Sequence, residues 1–173
     1  MRISAVIVAL GLAAPVAAAP AASINDAQIA SIVVTANQVD IDAGKAAAAR
    51  TKNPEVKKFA ELMVTDHTGV NKSATDLVTK LKVTPKDNDT SKALKAGGES
   101  NLSTLQGLNG AAFDKAYVDH EVAYHQQVLD AVDQTLIPNA KNAELKALLV
   151  KVRPAFVAHL EHAKHVQSTL GTR

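Results

Sequence analysis

Residues 53–81 read NPEVKKFAELMVTDHTGVNKSATDLVTKL, and this stretch decides the fold. Asn53 can cap a helix, Pro54 suits the first helical position, and Glu55 faces the positive end of the helix dipole. Val56, Ala60, Met63, His67, Val70, Ala74, Leu77 and Leu81 then recur at alternating steps of three and four, which puts them on one helical stripe. The helix is expected to reach about Lys82 and to stop before Thr84 and Pro85. Only His67 is polar in that stripe.

The same period predicts three more long helices and no strands. The first runs from about Asn25 to Arg50, opened by Asn25 and Asp26, with Ile29, Val33, Ala36, Asp40, Ala43 and Ala47 on its seam. The third runs from about Ala111 to Ile137, ends at Pro138, and carries Val118, Val122, His125, Leu129, Val132 and Leu136. The fourth runs from about Asn142 to Leu170, is closed by Gly171, and is expected to kink at Pro154. Its seam is Leu145, Leu149, Val152, Phe156, His159, Ala163, Val166 and Leu170. Between Pro85 and Gly110 the chain is rich in breakers, including Gly97 and Gly98, and holds at best a short helix near Ser91 to Leu108. Two short turns and one long connection give an all-α, ferritin-like four-helix bundle of two helical hairpins joined by a long crossover. The opening Asn53-Pro54-Glu55-Val56-Lys57 is echoed by Asn142-Ala143-Glu144-Leu145-Lys146. That echo fits two related halves or two uses of one helix-start recipe.

Length and composition narrow the setting. Of 173 residues, 1–22 read as a signal peptide, with a basic start, an apolar stretch and a small-residue region cut after Ala18 or Ala21. The bundle domain is then 23–173, and the expected location is the bacterial periplasm or the medium, with outer-membrane association open. The apolar core of the leader is shorter than the ~20 residues of a spanning helix, and no mature segment reaches that length. Without Cys there is no lipoprotein anchor, thiol chemistry, Fe–S cluster or Cys-type zinc finger. Arg2 is the only charge in the leader, so the mature chain carries +1. With no Trp and five aromatics, it has neither the field nor the stacking platforms for nucleic acid.

Each stripe carries one polar intruder: Asp40, His67, His125 and His159. Measured along the helices from one end of the bundle, the four fall within roughly 6 Å of one height at 1.5 Å per residue. Three imidazoles and a carboxylate are the donor types of a zinc site, and copper or ferrous iron accepts them too. The alternative is a hydrogen-bonded polar layer that only fixes helix register. A flanking set comprises His120, Glu121, Glu161, His162 and His165. There Glu121 with His125, or His159 with His162, has chelating spacing, against the alternative of a solvated charged flank. Asp66 points off the stripe and reads as an outer-shell or surface acid. A di-iron oxidase needs Glu three residues before its His ligands, but Val64, Val122 and Phe156 stand there. No nucleophile elbow or phosphate loop occurs. Two readings follow, a metal-handling bundle or a non-catalytic structural or stress-related interaction protein. Either could form a homo-oligomer or meet an envelope partner. A hydrolase or oxidase lacks a nucleophile–base pair.

Asn53-Pro54-Glu55-Val56, Phe59-Ala60, Met63-Val64-Thr65-Asp66-His67, then Phe113-Asp114, Tyr117, His125 and His159-Leu160 resemble the bacterial family catalogued as domain of unknown function 4142. The resemblance spans about Asn25 to Leu170. It implies a ferritin-like bundle in exported proteins, often labelled predicted outer-membrane proteins, with no established activity. The family's motif positions fall on His67, His125 and His159. Its first-helix acid is usually Glu, and Asp40 is one methylene shorter.

Overall fold

Capping side chains set where the helices begin. In the computed structural model, which describes residues 24–171, Asn25 and Gln28 form a reciprocal capping box at the start of α1 (Asp26–Arg50). Asn53 accepts from the backbone of Glu55 and Val56 at the start of α2 (Pro54–Leu81). Asn88 and Ser91 box the start of α3 (Asp89–Gln106). α4 (Gly110–Ala131) continues through a π turn (Val132–Leu136) into a short α5 (Ile137–Asn139), and α6 (Ala143–Gly171) completes the chain. Asn142 accepts from Glu144 and Leu145, repeating the hydrogen bonds Asn53 makes, so the echoed openings are two copies of one cap. The expected leader, 1–22, lies outside the described residues.

The fold is an all-α bundle, and the described residues contain no strand. Contacts between its ends fix the directions. Asp26 accepts from the Lys141 and Asn142 amides, so α1 and α6 start at the same end. Thr169 near the end of α6 meets Glu55 at the start of α2, while Lys80 pairs with Glu144 at the other end. Gln167 near the end of α6 also donates to Asp119 in the first half of α4, so α2 and α4 both run opposite to α6 and are parallel to each other, as a long crossover between hairpins requires.

That crossover is α3, the fifth helix that the sequence placed near Ser91 to Leu108, and its ends fall within two residues of that reading. α3 has 18 residues, about 27 Å at 1.5 Å per residue, and it runs along α1 from Gln28 to Arg50. Asn88 donates to the Gln28 carbonyl, and Ser31 donates to Asp87. At the far end Arg50 donates to the Leu105 and Leu108 carbonyls and lies 4.4 Å over the Phe113 ring. At Gly98 α3 comes close against α1, since a Cβ there would stand 2.8 Å from Val39 Cγ2. Tertiary packing thus makes use of a residue that intrinsic propensity alone reads as a break.

The π turn precedes Pro138, whose ring would crowd the preceding turn of a regular α-helix; the Ile137 amide instead donates to Val132 five residues back. α6 runs without a break through Pro154, which lies on its exposed side. Two apolar clusters fill the ends of the bundle. One includes Phe59, Met63, Phe113, Tyr117, Val118 and Val166, the other Ile29, Ile32, Val132, Leu136, Leu145 and Leu149.

Candidate metal centre

Between those clusters the bundle turns polar. Asp40 from α1, His67 from α2, Glu121 and His125 from α4, and His159 from α6 are each at most 3 % exposed. His67, His125 and His159 each offer a ring nitrogen within 4.8 Å of the others, and Asp40, Glu121 and His125 do the same with one atom each. Ring centroids of the three histidines are 5.5, 5.1 and 5.5 Å apart. His67 also stacks on Phe156, which floors the site on one side.

Hydrogen bonds decide which nitrogen of each ring is free. Asn37 donates through Nδ2 to the Val33 carbonyl, so its Oδ1 faces His67 Nδ1 at 2.7 Å and can only accept. His67 therefore carries its proton on Nδ1. The Glu121 carbonyl accepts from His125 Nδ1 at 3.0 Å, and Asp66 accepts from His159 Nε2 at 2.9 Å. Left over are His67 Nε2, His125 Nε2 and His159 Nδ1, all buried and without a hydrogen-bond partner. Oxygen acceptors behind each ring with a lone pair in front is how proteins orient imidazole ligands.

The carboxyls are short of partners too. No nitrogen or backbone donor reaches Asp40 Oδ1 or either Glu121 oxygen, the Asp40 carboxyl has only Glu121 with which to share a proton, and Asp40 Oδ2 stands 3.6 Å from His67 Nε2, too far to bond. Burial, with the Glu121 carboxylate beside it, holds the Asp40 carboxyl well above its ordinary range. Burial, then the His125 and His159 rings, lowers His67 from 6.5 to about 2. Burial likewise lowers His159 against the opposing pull of Asp66. Burial thus favours His67 and His159 as neutral donors, as coordination requires. Tyr117 is buried against the same carboxylates, and burial followed by Glu121 raises its phenol well above the usual value.

The sequence stripes placed Asp40, His67, His125 and His159 at one level, and the structure brings them together. Asp66 sits on the rim, half exposed, behind His159. The flanking set divides. Glu121 belongs to no solvated flank, being 0 % exposed and 3.4 Å from His125 Nδ1 through Oε2. His162 packs edge-on against Phe59 at 5.1 Å and joins neither donor group; Glu161 pairs with Lys164 at the surface, and His165 is exposed. His120 stacks on Tyr124 outside the cluster. Nor is each helix limited to one buried polar residue: Ser31 and Asn37 on α1 and Asp114 and Glu121 on α4 are buried too. Asn37 lies three residues before Asp40 and Glu121 four before His125, so both share a helical face with an intruder. For Glu121 that spacing reads, as one alternative, as a chelating pair with His125; for Asn37 it is the available signal.

An all-α crossover bundle with three oriented imidazoles and two buried carboxylates at mid-height is the class of protein that fold and site define. The chain belongs to the family described as Domain of unknown function (DUF4142), which matches residues 11–166. Among solved structures it is similar to CopM in the Cu(II)-bound form, with a TM-score of 0.65, 18 % identity, and coverage of 84 % of this chain and 98 % of that one. At that identity the likeness is one of fold. A comparison with curated proteins gave no match. No helix among the described residues is long and apolar enough to cross a membrane.

Proposed function

We propose that the protein binds one divalent transition-metal ion at this centre and acts as an exported metal-handling bundle. The observation that carries the reading is the set of three imidazole lone pairs, each opposite a ring nitrogen already committed to an oxygen, next to buried carboxyl oxygens that no nitrogen or backbone donor reaches. A layer that served packing alone would satisfy its own polar atoms, because each buried orphan costs about 1–3 kcal/mol. A cation supplies the missing partner for all of them. Charge favours a single ion: with both carboxyls ionised on binding, one divalent cation balances their two negative charges, whereas a second would leave net positive charge in an apolar core.

His67, His125 and His159 would be the ligands, with Asp40 and Glu121 completing the donor set from the oxygen side. Asn37, Asp66 and the Glu121 carbonyl orient the rings. Zinc, copper and ferrous iron all accept such donors, and the order of intrinsic affinities puts Cu(II) first. CopM, similar in fold, is described as Cu(II)-bound. The leader motif in residues 1–22 supports export and a periplasmic location.

The test is metal analysis of untagged mature protein together with its melting temperature. About one equivalent of transition metal, and a melting temperature that falls with chelator and returns with added Cu(II) or Zn(II), is expected. Protein without metal, whose melting ignores both chelator and added ions, would refute the reading.

A further inference from the structure

The centre is closed to solvent, so an ion needs a way in. Two surface grooves reach residues that touch it. One, of 480 Å³, lies between α3 and α4 and is lined by Asp89, Leu94, Gly97, His120, Tyr124 and Gln127 among others. The other, of 390 Å³, lies between α2 and α6 and includes Asp66, Gly69 and Lys151.

Their chemistry differs. In the α3–α4 groove His120 Nδ1 is buried and has no hydrogen-bond partner. The His120 ring lies 5.5 Å from that of Tyr124, nearly parallel to it. Tyr124 is the wall shared with the centre: it lines the groove, meets the His125 ring edge-on at 6.4 Å, and donates its hydroxyl to the Ala36 carbonyl at 3.1 Å. Asp89 adds a carboxylate at the rim. In the α2–α6 groove the Lys151 ammonium opposes a cation, and the Asp66 carboxylate is engaged by His159.

We propose that the ion enters through the α3–α4 groove, is taken first by His120, and passes behind Tyr124 onto Glu121 and His125. Each step exchanges one oxygen or nitrogen donor for another at the ion, with no change of oxidation state. The inference rests on the metal-centre reading above and adds a route to it.

Two glycines make the routes separable. A Cβ at Gly97 or at Gly69 meets nothing within 4 Å, so a larger side chain at either position can occupy its groove without disturbing the backbone. Metal-free mature protein is mixed with Zn(II) held by a chromophoric chelator, and uptake is followed by stopped flow for wild type, His120→Ala, Gly97→Phe and Gly69→Phe. Circular dichroism melting checks that each variant is folded. His120→Ala and Gly97→Phe are expected to load about tenfold more slowly and to reach wild-type occupancy, while Gly69→Phe loads at the wild-type rate. Equal rates in all four proteins, or slowing confined to Gly69→Phe, would overturn the route. Lower final occupancy in His120→Ala would make His120 a resident ligand and also overturn it. Wild type that takes up no Zn(II) at equilibrium is a separate result and removes the metal centre itself.

Discussion

The ends and the middle of this bundle are built from the same four helices but solve different problems. At the ends, Phe59, Met63 and Phe113 on one side and Ile29, Leu145 and Leu149 on the other are buried apolar side chains in contact with one another. In the middle, Asp40, His67, Glu121, His125 and His159 are as deeply buried, yet atoms on all five lack a hydrogen-bond partner. Burial of an apolar side chain stabilises by about 1.5–3 kcal/mol, whereas an unpartnered buried polar atom works against folding. The difference teaches that stability is made at the ends, and that the middle is held in an unfavourable state which the proposed cation would relieve.

Substitutions can break that contrast. Phe59→Ala, at an apolar end, should lower the unfolding free energy by about 3–5 kcal/mol and leave metal stoichiometry unchanged; denaturant unfolding and metal analysis of one sample measure both. Loss of metal with no loss of stability would reverse the assignment. Asn37→Ala, in the middle, frees the His67 ring and should weaken metal binding by about 10–100-fold, read by chelator competition.

The two regions should also respond differently to pH. Because His67 is lowered to about 2 in the fold and titrates near 6.5 when unfolded, the unfolded chain binds the extra proton below pH 6.5. Stability of the metal-free protein therefore falls as pH falls, by about 1.4 kcal/mol per unit from His67 alone. Asp40 has the opposite sign: its raised value makes the fold keep a proton the unfolded chain has lost, so its contribution is present in acid and disappears as pH rises through the folded value. His67→Leu should flatten the acid limb relative to wild type between pH 6.5 and 5, measured by urea unfolding in chelator. Parallel curves would place the acid sensitivity elsewhere.

The smallest effects distinguish two adjacent glycines of α3. Gly97→Ala meets open space and should stabilise by about 0.5–1 kcal/mol. Gly98→Ala meets Val39 and should destabilise by about 1 kcal/mol. Thermal melts of the two variants resolve the pair.

These particulars also show what the sequence could and could not reveal. The helix ends were legible because Asn25, Asn53 and Asn142 cap by local chemistry, and the four intruders stood out because each interrupts an apolar stripe. A heptad stripe is narrower than a buried face, so it missed Asn37 and left Glu121 between two readings, a chelating partner of His125 or a solvated flank. The 3.5-residue step also drifts against a helix of 3.6, which is why Val78 is buried in place of Leu77 near the end of α2. The place of α3 was legible to within two residues at each end; its packing along α1 was not, because Gly98 reads as a breaker until Val39 opposite it is known. The hydrogen bonds that fix the His67 and His159 tautomers cross between helices, and that of His125 uses the backbone carbonyl one turn back, so no pattern of side-chain types encodes them.

Electron paramagnetic resonance of protein loaded with one equivalent of Cu(II) tests the central claim most directly. Hyperfine coupling to imidazole nitrogens that diminishes in His125→Ala, together with slow exchange of the ion, is the predicted result. A spectrum that is the same in wild type and in His67→Leu, His125→Ala and His159→Leu would show that copper sits elsewhere and would contradict the account.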